Sequence, residues 1–519
     1  MLDRNTEVSR QLIIGLDAME WDLVKKWAQR GKLPTFRRLM DQGLQAELRT
    51  TSEQLPDTVW ASIYTGTNPA KFEKYYYVQY DPATKWLKHV PDDAIHQTPF
   101  WEYLSDAGQC VGVVDAPKFP MSPSLNGFQV TNWGAHATKT ARRSNPPNLL
   151  AEVEARFGRH PVGDCDAVDP NPASLKNLRR RVLEGVKVHG EMFRWLMRDR
   201  RWDVFFASFS EPHCAGHHFY HYVDPDHPRY TTEDQHGLAD SLEQVYRAVD
   251  REIGEMLAAA GEGVRTMVFA GHGMGPLYHA SWSLTEMLEL LGYGRRQASR
   301  PAQKRTAKTN FWRTLKRVLP GRLQYAIKAM LPKPLQDQLL FLWYAGGADW
   351  NGCRAFAVPN NDSVGAIRLA VKGRDKNGLV SPGLDYRRIC EEIAAALYEL
   401  TDPESGRRVV RRVTLTHDLF DGPYLDQLPD ITVLWEQSFP WNSVQSPRFG
   451  TLQGCQNDAR SGSHTGHGFL LSAGPGIPQG AKLTGASTYD IAPTVLETAG
   501  VAIPEYLDGH PLRQKVLAA

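Results

Sequence analysis

The chain of 519 residues is 42% hydrophobic, holds 14 Trp, 19 Tyr and 19 Phe, and carries a formal charge of +2. So much apolar and aromatic material excludes a wholly disordered chain, and the length suits one large α/β domain with insertions or two to four smaller domains. A charge this small gives no ground for a nucleic-acid partner.

The charge is unevenly spread. Residues 295–336 contain twelve Lys or Arg and no Asp or Glu, so +12 in this stretch leaves −10 for the rest. Six cysteines (Cys110, Cys165, Cys214, Cys353, Cys390 and Cys455) are scattered without a CxxC pair, which fits a reducing compartment better than a disulfide scaffold. The first apolar run is cut off at Asp17, short of a signal-peptide core, and no run of about 18 apolar residues occurs. The expectation is a cytoplasmic protein without a transmembrane segment.

In chain order, short apolar runs end abruptly in polar or glycine residues: "QLIIGLD" (11–17), "CVGVVDAP" (110–117), "WDVFFASFSE" (202–211), "TMVFAGHG" (266–273), "DITVLWE" (430–436) and "GFLLSAG" (468–474). Such runs predict strands buried on both faces, as in a parallel sheet. Within 239–261, Leu242, Val245, Val249, Ile253 and Met256 recur at helical spacing, with Gly261 where a C-cap belongs. Residues 365–400 read as strand, loop and helix. The alternation predicts a doubly wound, mostly parallel α/β sheet sandwiched by helices. In such sheets functional residues sit just past the carboxyl ends of strands; Asp17, Asp115, Glu211 with His213, and His272 fall there. Residues 1–291 and 354–519 are expected to form this catalytic domain, with a small α/β appendage over 354–415. Residues 292–353 read as a basic, partly helical insertion. Its stretch 295–336 suits a lid over an anionic substrate or a surface resting on an anionic membrane or partner; a plain solvated insertion is the alternative.

Residues 210–222, "SEPHCAGHHFYHY", place His213, His217, His218 and His221 within nine positions. Neutral imidazole is the commonest side-chain metal ligand. On a helix, residues four apart aim their rings the same way, which pairs His213 with His217. The HExxH protease pattern has this spacing too, but it needs a Glu where Cys214 stands.

Five segments, in order, resemble the alkaline phosphatase superfamily, most closely its type I phosphodiesterase/nucleotide pyrophosphatase branch. They are "IIGLDAMEW", "LPDTVWASIYTGTNPAK", "FSEPHCAGHHFYHYVD", "FAGHGMG" and "RSGSHTGHGFLLSAGPGI", followed by the tail "YDIAPTVLETAGVAIPEYLDGHPL". The resemblance covers residues 11–292 and 354–515. It implies a metal-dependent hydrolase or transferase acting on a phosphoester, phosphodiester or related small anionic ester. One or two Zn²⁺ ions, or Mn²⁺, would serve as cofactor.

Carried over residue by residue, one ion falls to His213, His217 and His464, the second to Asp17, Thr58 and His272. Two departures stand out. His213 occupies the place of an Asp, giving a neutral three-histidine site that still suits zinc. Gly271 occupies the place of a second Asp, so the second ion is expected to be weak, absent or completed by another group such as Glu211 or Asp57. The nucleophile is assigned to Thr58, with Thr51 and Ser52 as lesser candidates. Thr58 precedes "VWASIY", where it would otherwise serve only to cap a helix. Phe72 and Glu73 stand where the family often has His-Gly.

His467 competes with His464. His218 and His221 are expected beside the site or on the surface. His279 and Arg460, with Asp115 and Lys118, are candidates for reaching the substrate. Transfer to an acceptor other than water stays open, and so does a silent member that binds one metal and an anionic ligand or partner.

Overall fold

The computed structural model describes residues 10–135, 141–163, 165, 168–294, 350–361, 363–454 and 459–513. The basic stretch 295–336 and Cys455 lie outside the described residues.

A nine-stranded sheet forms the centre. Across it the strands run Lys482–Ser487, Leu44–Arg49, Gly468–Ala473, Arg265–Ala270, Gln11–Leu16, Val204–Phe209, Val111–Val114, Gly127–Thr131 and Arg143–Asn145. Gly468–Ala473 and the edge strand Arg143–Asn145 oppose the direction of the others, so the sheet is mostly parallel, as the apolar runs predict. Alternation of side chains divides each central strand between two cores. Leu12, Ile14 and Leu16 enter one core and Ile13 the other; Phe205, Ala207 and Phe209 enter the first, Val204 and Phe206 the second. The first core is closed by helices Trp21–Gln29, Pro34–Gln42, Pro172–Asp199 and Ser241–Ala260, the second by Val59–Thr65, Phe100–Asp106 and Ile491–Thr498. The helix predicted over 239–261 ends at Gly261, whose φ of 84° favours glycine.

One expected strand belongs elsewhere. Ile431–Trp435 is buried along its whole length, but it lies in a separate four-stranded antiparallel sheet with Ala355–Ala357, Val364–Leu369 and Val410–Leu415. One face of that sheet packs on helices Leu284–Leu290 and Leu384–Tyr398, and the other, through Phe356 and Ala366, on Tyr75, Val78 and Tyr80. A short apolar run reports burial and is silent on which sheet buries it.

A two-stranded ribbon joins distant parts of the chain beside the central sheet. Gly273–Pro276 pairs antiparallel with Gly462–Thr465, and Met274 stands opposite His464. This pairing brings the end of the chain to His272, at the carboxyl end of a central strand. No helix among the described residues is long and apolar enough to cross a membrane.

Candidate active site

The helix Glu211–Phe219 follows the central strand Val204–Phe209 directly. Pro212 sits at its first turn, where a missing N–H costs nothing. Gly216 faces the ribbon: a Cβ there would lie 2.7 Å from Met274 Cγ. The absent side chain lets helix and ribbon approach until His217 Nδ1 lies 2.7 Å from the Gly462 carbonyl oxygen and Ser461 N–H donates to the His217 carbonyl at 2.7 Å. That contact assigns the Nδ1 proton of His217 and turns the Nε2 lone pair inward.

His213, His217 and His464 are all buried, and one ring nitrogen from each falls within 4.8 Å of the others. The Nε2 atoms of His213 and His217 are 3.2 Å apart. Two nitrogens bound tetrahedrally at about 2.0–2.1 Å would be separated by a similar distance, so the donor set fits a zinc-class ion. His464 is thus the histidine that the ribbon delivers. His467, three residues on, instead places Nδ1 3.1 Å from Glu20 Oε1. His218 and His221 are buried rather than on the surface, and each turns to another partner: His218 Nε2 to the Cys165 carbonyl, His221 Nδ1 to Ser461 Oγ.

Beside the three histidines lie Asp17 and His272. The His272 ring is centred 4.5 Å from that of His464, and its Nε2 is 3.5 Å from Asp17 Oδ1. Burial pushes the His272 imidazole down to about 4, with Asp17 opposing that shift and the Lys118 ammonium adding to it. Trp60 Nε1 donates to Asp17 Oδ1 at 3.1 Å, tying Asp17 to the helix that begins just after Thr58. Thr58 is buried and makes no capping bond. Its hydroxyl donates to the Leu55 carbonyl at 2.7 Å and lies 2.9 Å from Thr51 Oγ1. The hydroxyl is therefore not used up in closing the helix terminus. Ser52 Oγ is buried without a hydrogen bond among the described residues.

The Gly271 position is filled from outside. A Cβ there would lie 2.5 Å from Val59 Cγ1 and 2.7 Å from Ile63 Cδ1. Neither group expected to complete a second ion does so: Asp57 pairs with Lys118, and Glu211 faces His160 and His189. The Asp17 carboxylate, the His272 imidazole and the Thr58 hydroxyl remain, a poor fit to a second divalent ion. Gly271→Asp is therefore expected to destabilise the fold by about 1–3 kcal/mol from overpacking alone. The check is its denaturation midpoint, and a variant as stable as the parent would contradict the packing.

Lys118 has a φ of 56°, and Ala18, two residues past the strand end Leu16, and Asp115, directly after the strand end Val114, have φ of 53° and 51°. Left-handed backbone at three non-glycine residues close to these strand ends is strain of a kind that gathers at functional sites. Burial opposes charge on Lys118, but Asp57, and at longer range Asp17 and Asp92, hold its ammonium protonated above the usual lysine range. For His279 and Arg460 the described hydrogen bonds are through their carbonyls, to Trp282 Nε1 and Arg229 Nη1.

Sequence reading passed over His160 and His189. His189 lies on the helix Pro172–Asp199 among residues at core spacing, where nothing local separates it from a packing position. In the structure its Nδ1 is 2.7 Å from Glu211 Oε1 and its Nε2 3.0 Å from Asp115 Oδ2. Burial works against charge on His189, but Glu211 and Asp115 raise it to about 9.

A mostly parallel α/β sheet with imidazoles and a carboxylate gathered at the carboxyl ends of its central strands places this cluster where open α/β sheets carry their sites. The family model for type I phosphodiesterase/nucleotide pyrophosphatase matches residues 11–337, more than half of the chain, and the chain belongs to that family. Two solved structures are similar in fold at 12% identity and a TM-score of 0.50, with 98% of this chain and 99% of each of theirs covered. One is murine ectonucleotide pyrophosphatase/phosphodiesterase 5, an inactive threonine-to-alanine variant in complex with AMP; the other is the human protein of that name. No curated protein matches the chain.

Proposed function

We propose that this chain hydrolyses a phosphodiester or pyrophosphate of nucleotide type, using one zinc-class ion and Thr58 as nucleophile. The observation behind this reading is the convergence of His213, His217 and His464 beside Asp17 and His272. The murine relative holds AMP and is described as inactive once a threonine is changed to alanine, which agrees with a threonine nucleophile and a nucleotide-like substrate.

Phosphoryl transfer spreads negative charge over nonbridging oxygens, so a site must position the ester and balance that charge. An ion held by His213, His217 and His464 would supply Lewis acidity toward those oxygens. Thr58 Oγ forms the new bond to phosphorus while the ester oxygen leaves with its electron pair. The hydroxyl proton passes to a neighbouring acceptor, a role this reading gives to His272 beside Asp17. Water then cleaves the phosphothreonine. With Gly271 lacking a carboxylate, Lys118 is assigned the positive charge on the Thr58 side.

The test is a panel of nitrophenyl esters. Turnover of bis(nitrophenyl) phosphate or a nitrophenyl nucleotide, lost on chelation and restored by Zn²⁺ or Mn²⁺, is the expected result. A fully metal-loaded protein that turns over no mono- or diester would favour a silent member that binds an anionic ligand.

A further inference from the structure

We propose that His160, His189 and Glu211 form a second metal site, distinct from the three-histidine site, that takes a zinc-class divalent cation and has a structural role. His160 Nε2 and His189 Nδ1 converge on the same carboxylate oxygen, Glu211 Oε1, at 2.9 and 2.7 Å. These three donor atoms lie within 4.8 Å of one another, the same compactness as in the three-histidine site.

Three further observations point to an ion. Glu211 is fully buried, and its other oxygen, Oε2, has no hydrogen-bond partner among the described residues, leaving a fourth donor for the same ion. An unpaired carboxylate oxygen in a dry interior is costly, and buried charges are normally paired or coordinate metal. His189 directs its far nitrogen, Nε2, to Asp115 Oδ2 at 3.0 Å, and Asp115 is itself fixed by the N–H groups of Trp133 and Gly134, each at 2.7 Å. Carboxylate, histidine and metal in that order is the usual outer support of a ligating imidazole.

Charge gives the third. Asp115 and Glu211 are both fully buried. Two buried carboxylates on either side of His189 call for compensating positive charge, which a divalent ion would supply. The donor set of two imidazoles and a carboxylate suits zinc and its neighbours rather than calcium or magnesium.

The place of the cluster fixes its role. Glu211 begins the helix that carries His213 and His217, His189 belongs to the long helix Pro172–Asp199, and His160 lies in the loop before it. An ion here would clamp the base of the histidine helix against the first core. Space is tight: a Cβ at Gly134 would lie 2.4 Å from the His189 ring, so the rings have little freedom to turn away.

The experiment is zinc content by mass spectrometry after loading with Zn²⁺ and removal of excess, on the parent and on His160→Ala and His464→Ala. Each variant is expected to lose one equivalent, a different one, and the double variant both. A folded His160→Ala with the parent's zinc content would overturn the proposal. Should His160→Ala not fold, anomalous density at the zinc edge in the parent decides. A peak between His160, His189 and Glu211 supports the site, and a map with density only at the three-histidine site overturns it. Loss of zinc in His160→Ala but not in His464→Ala would uphold this site while removing the ion assigned to catalysis.

Discussion

His464→Ala is expected to lose one equivalent of zinc and at least about a thousandfold in kcat/KM, a barrier change of about 4 kcal/mol. The loss follows from geometry. His464 arrives on a ribbon strand from the far end of the chain and supplies the third nitrogen to the helix pair His213 and His217. Two imidazoles four residues apart on one helix hold a zinc ion weakly; the third donor fixes it and still leaves a position for substrate. His467→Ala is the matched control. That side chain leans on Glu20 and is half exposed, so metal content should stay at the parent level. If His467→Ala loses zinc and His464→Ala keeps it, the ligand assignment is wrong.

Thr58→Ala carries the second large effect, a fall in kcat of about 10³–10⁴-fold with metal content unchanged. Stability should drop by only about 1 kcal/mol, since the hydroxyl gives up one bond to the Leu55 carbonyl and a contact with Thr51. Thr58→Ser should retain measurable turnover because a hydroxyl remains at the same atom position. Thr51→Ala tests the nearest competitor and should reduce the rate far less. Full activity in Thr58→Ala, with loss in Thr51→Ala or Ser52→Ala, would move the nucleophile to one of those residues.

Much of the architecture is legible in the amino-acid order. Runs such as "QLIIGLD" and "WDVFFASFSE" mark central strands because a strand covered on both faces is built mostly of apolar side chains. The placement of Asp17, Asp115, Glu211 and His272 at strand ends follows from where those runs stop. The run at 430–436 is legible as a buried strand but not as a member of the second sheet, because apolar content measures burial and not strand order.

The site is legible in part. Spacing pairs His213 with His217, and the resemblance supplies Asp17, Thr58, His272 and His464 as candidates. Gly271 reads as a missing ligand; only the structure shows its space filled by Val59 and Ile63. Glu211 and Asp57 can be named as substitutes from sequence, but their partners, His160 with His189 and Lys118, come from segments distant in the chain.

Residue order thus sets the periodic elements, the chemistry of the side chains at their ends and the family pattern they follow. Those properties are local, carried by side-chain type and by spacings of two to four residues. Three-dimensional packing selects His464 over His467 to face the helix pair, leaves the Thr58 hydroxyl without a capping bond at the helix N-cap, and joins Asp115, His160, His189 and Glu211 in one buried cluster. Thr58 is held by its near neighbours Leu55 and Thr51, whereas the other two outcomes depend on contacts between residues tens to hundreds of positions apart, among them the close approach at Gly216 and the ribbon pairing of Met274 with His464.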